Sequence, residues 1–392
     1  MSEDRRRFLI RSVSLTSAGL MVPSTSFSRP MPQEAAPSIE TKPGLIVRSR
    51  RPLDLETPVD KLDSEFTPND WFFVRNHFGE PAVRPDGWKI AFDGAFTKPR
   101  TLPLAEIIAA HPRHELPAVA MCAGNGRALF TPKVPGLMWE RGAVGQALWS
   151  GIRFADLIRA IGLDTAARHL IFETADVTPS PKTPPYTRSL PLDRLMQDDV
   201  LLADRMNGQP LPLLHGGPLR LVVPTWTANH WVKWIVRITA SAEESPAFFQ
   251  KTAYKINTVP ITPADTPKPD QMTSVKILNV KSLVTSHLPG QTLPPGRHEV
   301  RGQAWTGPGV IDKVEIRTRP TDPWATAEIV SKSRTAGAWV RWKWNFEAAA
   351  GEKLVIETRA TDSNGNTQPV EPFWNKSGYL FNAIDGVPIR IS

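Results

Sequence analysis

The sequence predicts an α+β protein in two parts: a mixed helix-and-strand domain, then an antiparallel β-sandwich of immunoglobulin type. Three observations carry this. Up to about residue 256 the apolar period alternates between helical and strand spacing without a regular βαβ rhythm. A segment over 257–273 then carries Pro260, Pro263, Pro267 and Pro269 and little apolar content, the composition of a linker. From 274 to 392 short period-two runs recur with turns between them and helical patterns nearly vanish. The 392 residues include 39 prolines and 13 tryptophans, as expected of a loop-rich chain built around large aromatic anchors.

Taken in order, Asp4-Arg5-Arg6-Arg7-Phe8-Leu9-Ile10 is a charged start followed by a short apolar run and the small-residue exit Ser26-Phe27-Ser28. Paired arginines before Phe-Leu match a twin-arginine export signal over 1–28, an address read by a receptor and not an anchor. Residues 29–44 read as a flexible leader. Trp88-Lys89-Ile90-Ala91-Phe92 alternates as a half-buried strand, 104–110 reads as a short helix, and Ile152, Ala155, Leu157, Ile158 and Ile161 have helical spacing. The runs 219–223 and 231–238 read as strands. In the second part, 275–284, 298–305, 310–319, 338–346 and 353–361 read as strands.

The formal charge of +8 falls once 1–28 is removed, because that segment has four arginines against Glu3 and Asp4. A modest basic excess steers anions or acidic partners. No basic run is interleaved with aromatics, so nucleic acid is not an expected partner. No later stretch is apolar enough for a membrane helix, so no anchor is expected after signal removal.

Cys122 is the only cysteine, so it forms no internal disulfide. Its segment, Cys122-Ala123-Gly124-Asn125-Gly126-Arg127, follows the apolar run 118–121 and turns tightly. The commonest fate of a free cysteine is burial in the core; here the polar, glycine-bearing turn favours a nucleophile or a soft metal ligand. Zinc lacks a second cysteine or a close histidine pair. The glycines lack the third member and the acidic residue of a dinucleotide loop. Trp71-Phe72-Phe73-Val74-Arg75-Asn76-His77 runs from aromatic to polar, either a strand reaching the surface or an anion site. His215-Gly216-Gly217-Pro218-Leu219-Arg220, followed by His230-Trp231-Val232-Lys233, reads as a turn or a phosphate cradle. Tyr254 is one of three tyrosines.

In combination and in this order, Phe73 to His77, Cys122 to Arg127 and His215 to Arg220 resemble the sulfite oxidase family of molybdenum enzymes. The resemblance spans 45–390. It implies that Cys122 ligates molybdenum alongside one molybdopterin. Arg75, Arg127 and Tyr254 would form the anion pocket, with His77 close to Tyr254. Phe73, Val74, Arg75, Asn76, His77, Asp176, His215, Arg220, Trp231, Val232 and Lys233 would hold the pterin and its phosphate, and Trp139 would lie near the substrate pocket. The second part resembles the family's dimerisation domain. The loop from Cys122 to Trp139 is shorter than in animal forms, and His230 stands where animal and plant forms have arginine. Both features resemble bacterial periplasmic sulfite dehydrogenases without a haem domain.

The resemblance implies oxidation of sulfite to sulfate in the periplasm by a homodimer, with electrons leaving singly to an external cytochrome c-type acceptor. A reductase of methionine sulfoxide or another S- or N-oxide is the alternative within the family; its neutral substrate needs fewer cations than Arg75 and Arg127 supply. A cofactor-free periplasmic binding protein is the alternative of another class, disfavoured by the export signal and the unpaired thiol.

Overall fold

The computed structural model of the chain describes residues 42–83, 87–331 and 334–392. The expected signal segment and most of the leader lie outside these residues. The described residues fall within one compact unit, Ser38–Ser392. The expected mixture of helices and strands is weighted heavily toward strands: the α-helices are Leu104–Ala109, Phe154–Ile161, Leu192–Leu195 and Phe248–Lys251 among the described residues.

Two five-stranded sheets build the first part. One runs Gln209–Pro210, Leu201–Met206, Val144–Arg153, Arg113–Met121, with Arg220–Val222 also pairing to Leu201–Met206. The other runs Arg100–Pro103, Lys89–Gly94, Ile235–Ser241, His169–Thr174, Thr187–Pro191, with Ile235–Ser241 parallel to Lys89–Gly94 and its other pairings antiparallel. Helix Phe154–Ile161 buries Phe154, Ala155, Leu157, Ile158 and Ile161 and ends at Gly162, whose φ is +84°. It starts two residues after the expected Ile152 because Ile152 and Arg153 stay paired with Leu202 and Leu201.

In the second part, Lys281–Val284, Gly296–Trp305, Val340–Ala348 and Glu328–Ile329 form a four-stranded sheet. Gln291–Leu293, Val387–Ile391, Lys353–Asp362, Ile311–Arg317 and Ala325–Thr326 form a five-stranded one. Both sheets contribute to a core containing Val300, Trp342, Val314, Ile356 and Ile389. The expected all-antiparallel pairing needs one correction: Gln291–Leu293 runs parallel to Val387–Ile391. The proline-rich stretch is not a free tether either. Lys255–Asn257 pairs with Met272–Ser274, so the prolines occupy the loop of a two-stranded ribbon.

The placement of Cys122 follows from strand period. Along Arg113–Met121, Ala118 and Ala120 face the first part's core, while Val119 and Met121 pack with Leu278, Leu283, Trp305 and Trp339 of the second. A strand alternates its side chains between faces, so this strand is wedged between the two parts and delivers Cys122 at its end. The turn after it is gripped from behind by residues 375–382. Leu380 N–H donates to Ala123 O (2.9 Å), Lys281 Nζ donates to Asn125 Oδ1 (2.7 Å), and Arg127 Nε donates to Ser377 O (3.0 Å). Gly126 has φ +84°, and a Cβ there would lie 2.8 Å from Phe381 Cβ. Gly126→Ala is therefore expected to destabilise the fold by about 1–3 kcal/mol, through strain and overpacking. A fall in the urea midpoint checks this; an unchanged midpoint would mean that the turn is not clamped.

Candidate active site

Cys122 is buried (7% exposed) and its N–H donates to Ala143 O. Burial pushes its thiol pKa up, against the pull of Arg75, the Gly124 N–H and Arg127. Cys122 opens onto a narrow cavity that also reaches Ala120 and Leu214. Phe73, Arg75, Asn76, His77, Asp176, His215, Arg220, Trp231, Lys233 and Tyr254 also line it. These residues come from six separated stretches of chain, so the fold gathers nearly all of the expected site.

Each wall has a local cause. After the turn Asn69–Trp71, Val74 is pinned by reciprocal backbone hydrogen bonds with Leu55. This fixes the apolar-to-polar run so that Phe72 and Phe73 enter the core while Arg75, Asn76 and His77 reach the cavity. Asp54, itself buried, accepts from Arg75 Nη1 (3.2 Å) and Asn76 N–H (2.9 Å). Burial opposes the charge on Arg75, but Tyr254, Asp54 and Cys122 raise its pKa on balance.

The expected strand over 231–238 begins only at Ile235. Before it, Ala228–His230 makes a tight turn and Trp234 takes φ +52°. This aims Lys233 at the cavity, where it contacts Asn76 Oδ1, Arg75 O and Leu214 O, all neutral. Burial lowers its pKa to about 7. Arg220 is buried between the Trp149 and Trp231 rings (4.9 and 5.5 Å) and donates to His215 O and Trp231 O. Burial alone lowers it to about 9. Asp176 is raised to about 6, first by burial, with Lys233 opposing.

His77 Nε2 and Tyr254 Oη are 2.6 Å apart, as expected. Burial lowers the His77 pKa well below 6.5, reinforced by Arg75, and raises that of Tyr254. The two are thus a neutral pair joined by one hydrogen bond. Tyr186 stacks on the His77 ring (4.3 Å, 19°). Beneath them Arg188, 1% exposed, donates to Phe249 O and to His230 Nδ1 (3.2 Å), while His230 Nε2 donates to Val275 O (2.8 Å). That arrangement holds His230 neutral.

Some expected residues lie elsewhere. Val74 and Val232 are buried and shape the walls through the backbone. Trp139, 0% exposed, belongs to the core and does not line the cavity. Arg127 is buried beside the Cys122 turn, and its Nη1 donates to Leu137 O (3.0 Å). Its charge reaches Cys122, but it is not among the cavity-lining residues. Sequence reasoning missed Tyr186, Thr174 and Asn229, all on the cavity wall, and Arg188 below it. Their only signal was their closeness in sequence to Asp176 and Lys233.

The cavity lining fits an anionic, polar-rimmed cofactor. Buried Asn76 Nδ2, Asn229 Nδ2 and Arg220 Nε have no hydrogen-bond partner among the described residues, and orphaned buried donors at one cavity point to a ligand. Lys233 and Arg220 meet neutral groups where a phosphate would supply charge-assisted bonds. Among the described residues no three of His, Cys, Asp or Glu cluster as a metal site. The soft Cys122 thiolate suits a sulfur-ligated metal.

Burial holds His77, His215 and His230 well below 6.5, so the unfolded chain binds more protons than the folded one as pH falls through that value. Stability is then lost on acidification, each such histidine contributing about 1.4 kcal/mol per pH unit. Below about 6, Asp176 offsets one of them, its raised pKa giving the opposite sign. Urea midpoints of the metal-free chain should fall from pH 7.5 to 6, and His230→Asn should flatten that fall. An equal slope in the variant would show that His230 is not held neutral.

Comparisons with known proteins agree with this site. A family model described as oxidoreductase molybdopterin binding domain matches residues 77–249, and one described as Mo-co oxidoreductase dimerisation domain matches 272–391. Sulfite oxidase of Gallus gallus is 36% identical over 355 residues, covering 87% of this chain and 77% of that protein. Mitochondrial sulfite oxidase of Homo sapiens is 35% identical over 384 residues, covering 92% and 70%. The crystal structure of the sulfane dehydrogenase SoxCD from Paracoccus pantotrophus is similar with a TM-score of 0.76 and 24% identity, covering 95% of this chain and 97% of that one; that likeness shows the shared, mostly β fold. A lone buried thiol, an anion-seeking cavity and these relatives converge: the chain belongs to the sulfite oxidase family of molybdenum oxidoreductases, and its cofactor is molybdenum with molybdopterin.

Proposed function

We propose that this chain oxidises sulfite to sulfate, with Cys122 as the protein ligand to molybdenum and Arg75, His77, Arg127 and Tyr254 serving the substrate. The observation that carries this is the cationic Arg75 on the same cavity wall as Cys122 and the neutral His77–Tyr254 pair. When bound, the cofactor supplies oxygen transfer to sulfur and takes up two electrons. Phe73, Val74, Asn76, Asp176, His215, Arg220, Trp231, Val232 and Lys233 would hold the pterin and its phosphate.

The chain's own contribution is electrostatic. Sulfite gains an oxygen derived from water and releases two electrons and two protons. Arg75, oriented by Asp54, gives the anion charge-assisted hydrogen bonds in a site that excludes bulk water. Arg127 adds a fixed positive charge. Tyr254 keeps its proton, which its hydroxyl can turn from His77 Nε2 toward the anion, so it offers a hydrogen bond without repelling the charge. Because Arg75 depresses the His77 pKa, an anion that offsets the Arg75 charge makes His77 Nε2 a better proton acceptor. Electrons then leave singly to a cytochrome c-type acceptor. The twin-arginine segment supports a location in the periplasm, and the two sheets that share one core in the second part support an immunoglobulin-type sandwich through which two copies pair.

Molybdenum-loaded protein should reduce ferricyanide or cytochrome c when given sulfite, and Cys122→Ser should abolish this. Turnover with methionine sulfoxide and none with sulfite would contradict the reading. Arg127→Gln should raise the KM for sulfite by about tenfold, the scale of one fixed charge acting through space, with molybdenum content retained. Loss of molybdenum in that variant would assign Arg127 to the scaffold.

A further inference from the structure

The chain has three tyrosines, and the fold brings all of them together. Tyr186 stacks on His77, Tyr254 bonds to it, and Tyr379 stacks on Tyr254 with ring centroids 5.3 Å apart and planes at 14°. Tyr379 comes from the second part of the chain. It is half-buried at the outer edge of this group, and its ring faces the Arg127 guanidinium at 5.1 Å. Burial raises its pKa, against the pull of Arg127, so its hydroxyl stays protonated.

The segment that carries Tyr379 is rigid. Asn375, 1% exposed, bonds to Tyr379 at both backbone groups: Oδ1 accepts from its N–H (3.0 Å) and Nδ2 donates to its carbonyl (2.9 Å). Leu380 adopts φ +59°, a conformation costly for a branched side chain. It persists because Leu380 N–H donates to Ala123 O while Leu380 O accepts from Asn279 Nδ2. Strain held in place by several bonds beside a reactive site is a mark of function.

An aromatic face orients a guanidinium without cancelling its charge, whereas a carboxylate in the same place would neutralise it. Among the described residues Arg127 has no carboxylate partner: Nε and Nη1 donate to the carbonyls of Ser377 and Leu137, the Tyr379 ring covers its face, and the Tyr379 hydroxyl accepts from it. The same ring backs Tyr254. One side chain thus fixes two groups that the proposed reaction uses, from the side away from Cys122's strand.

We propose that Tyr379 is a positioning residue of the substrate pocket, supplied by the second part of the chain, that holds Arg127 and Tyr254 in register and so sets affinity for a sulfur oxyanion. This rests on the sulfite reading above. The test uses molybdenum-loaded full chain and two readouts: kcat and KM for sulfite, and calorimetric titration with sulfate in the absence of turnover. Tyr379→Ala should raise KM and weaken sulfate binding together by about tenfold, the scale of a partly desolvated cation–π contact, leaving kcat within about threefold. Tyr379→Phe keeps the ring and should stay within about threefold of wild type in both. Wild-type KM and sulfate affinity in Tyr379→Ala overturn the proposal, as does an equal loss in Tyr379→Phe. Should Tyr379→Ala lose its metal, Tyr379→Leu, which fills space without a π face, decides by the same criteria. A wild type that binds sulfate without oxidising sulfite would fail the functional reading, while the titrations would still decide on Tyr379.

Discussion

Arg75, Arg220 and Lys233 line one cavity, with Arg188 beneath its wall and little opposing charge, and the surrounding architecture answers to that excess. A cation without a counter-charge in a protein interior costs several kcal/mol. Arg220 and Lys233 show the cost as lowered pKa values, about 9 and 7. Each cation is held by carbonyls and aromatic faces in place of acids: Arg220 between two tryptophans, Arg188 on Phe249 O and over Tyr254 at 5.5 Å, Lys233 on Asn76 and two carbonyls. Neutral partners fix their positions and leave their charge to an anionic ligand. Asp54, which accepts from Arg75, and Asp176 are the exceptions, two carboxyls among these four cations.

The same requirement explains why the site needs both parts of the chain. A turn carrying a metal ligand must be stiff, yet the Cys122 turn is polar and glycine-bearing. Its stiffness comes from outside, through Lys281, Ser377, Leu380 and Phe381. Lys281 is itself buried with a pKa lowered to about 8, a further charge spent on holding Asn125. The second part therefore belongs to the active site as well as to the family's dimerisation module.

Much of the site was legible in the sequence because its chemistry is local: a lone cysteine in a tight turn, an aromatic run ending in Arg-Asn-His, a Gly-Gly-Pro turn flanked by His215 and Arg220. Strand placement followed period-two alternation, so most expected strands of the second part appear within a few residues. The errors share a cause. The strand expected from Trp231 starts at Ile235 because Lys233 must turn into the cavity. The linker closes a ribbon because Lys255–Asn257 finds a partner beyond the prolines. Arg188, Tyr186 and Tyr379 escaped notice because their roles depend on stacking partners far away in sequence, which no local pattern encodes.

The central claim is that Cys122 is the single protein ligand to molybdenum. X-ray absorption at the molybdenum edge, comparing loaded wild type with Cys122→Ser, tests it most directly. Wild type should show three sulfur neighbours, two from the pterin dithiolene and one from Cys122, and the variant two. An equal sulfur count in both proteins would contradict the account.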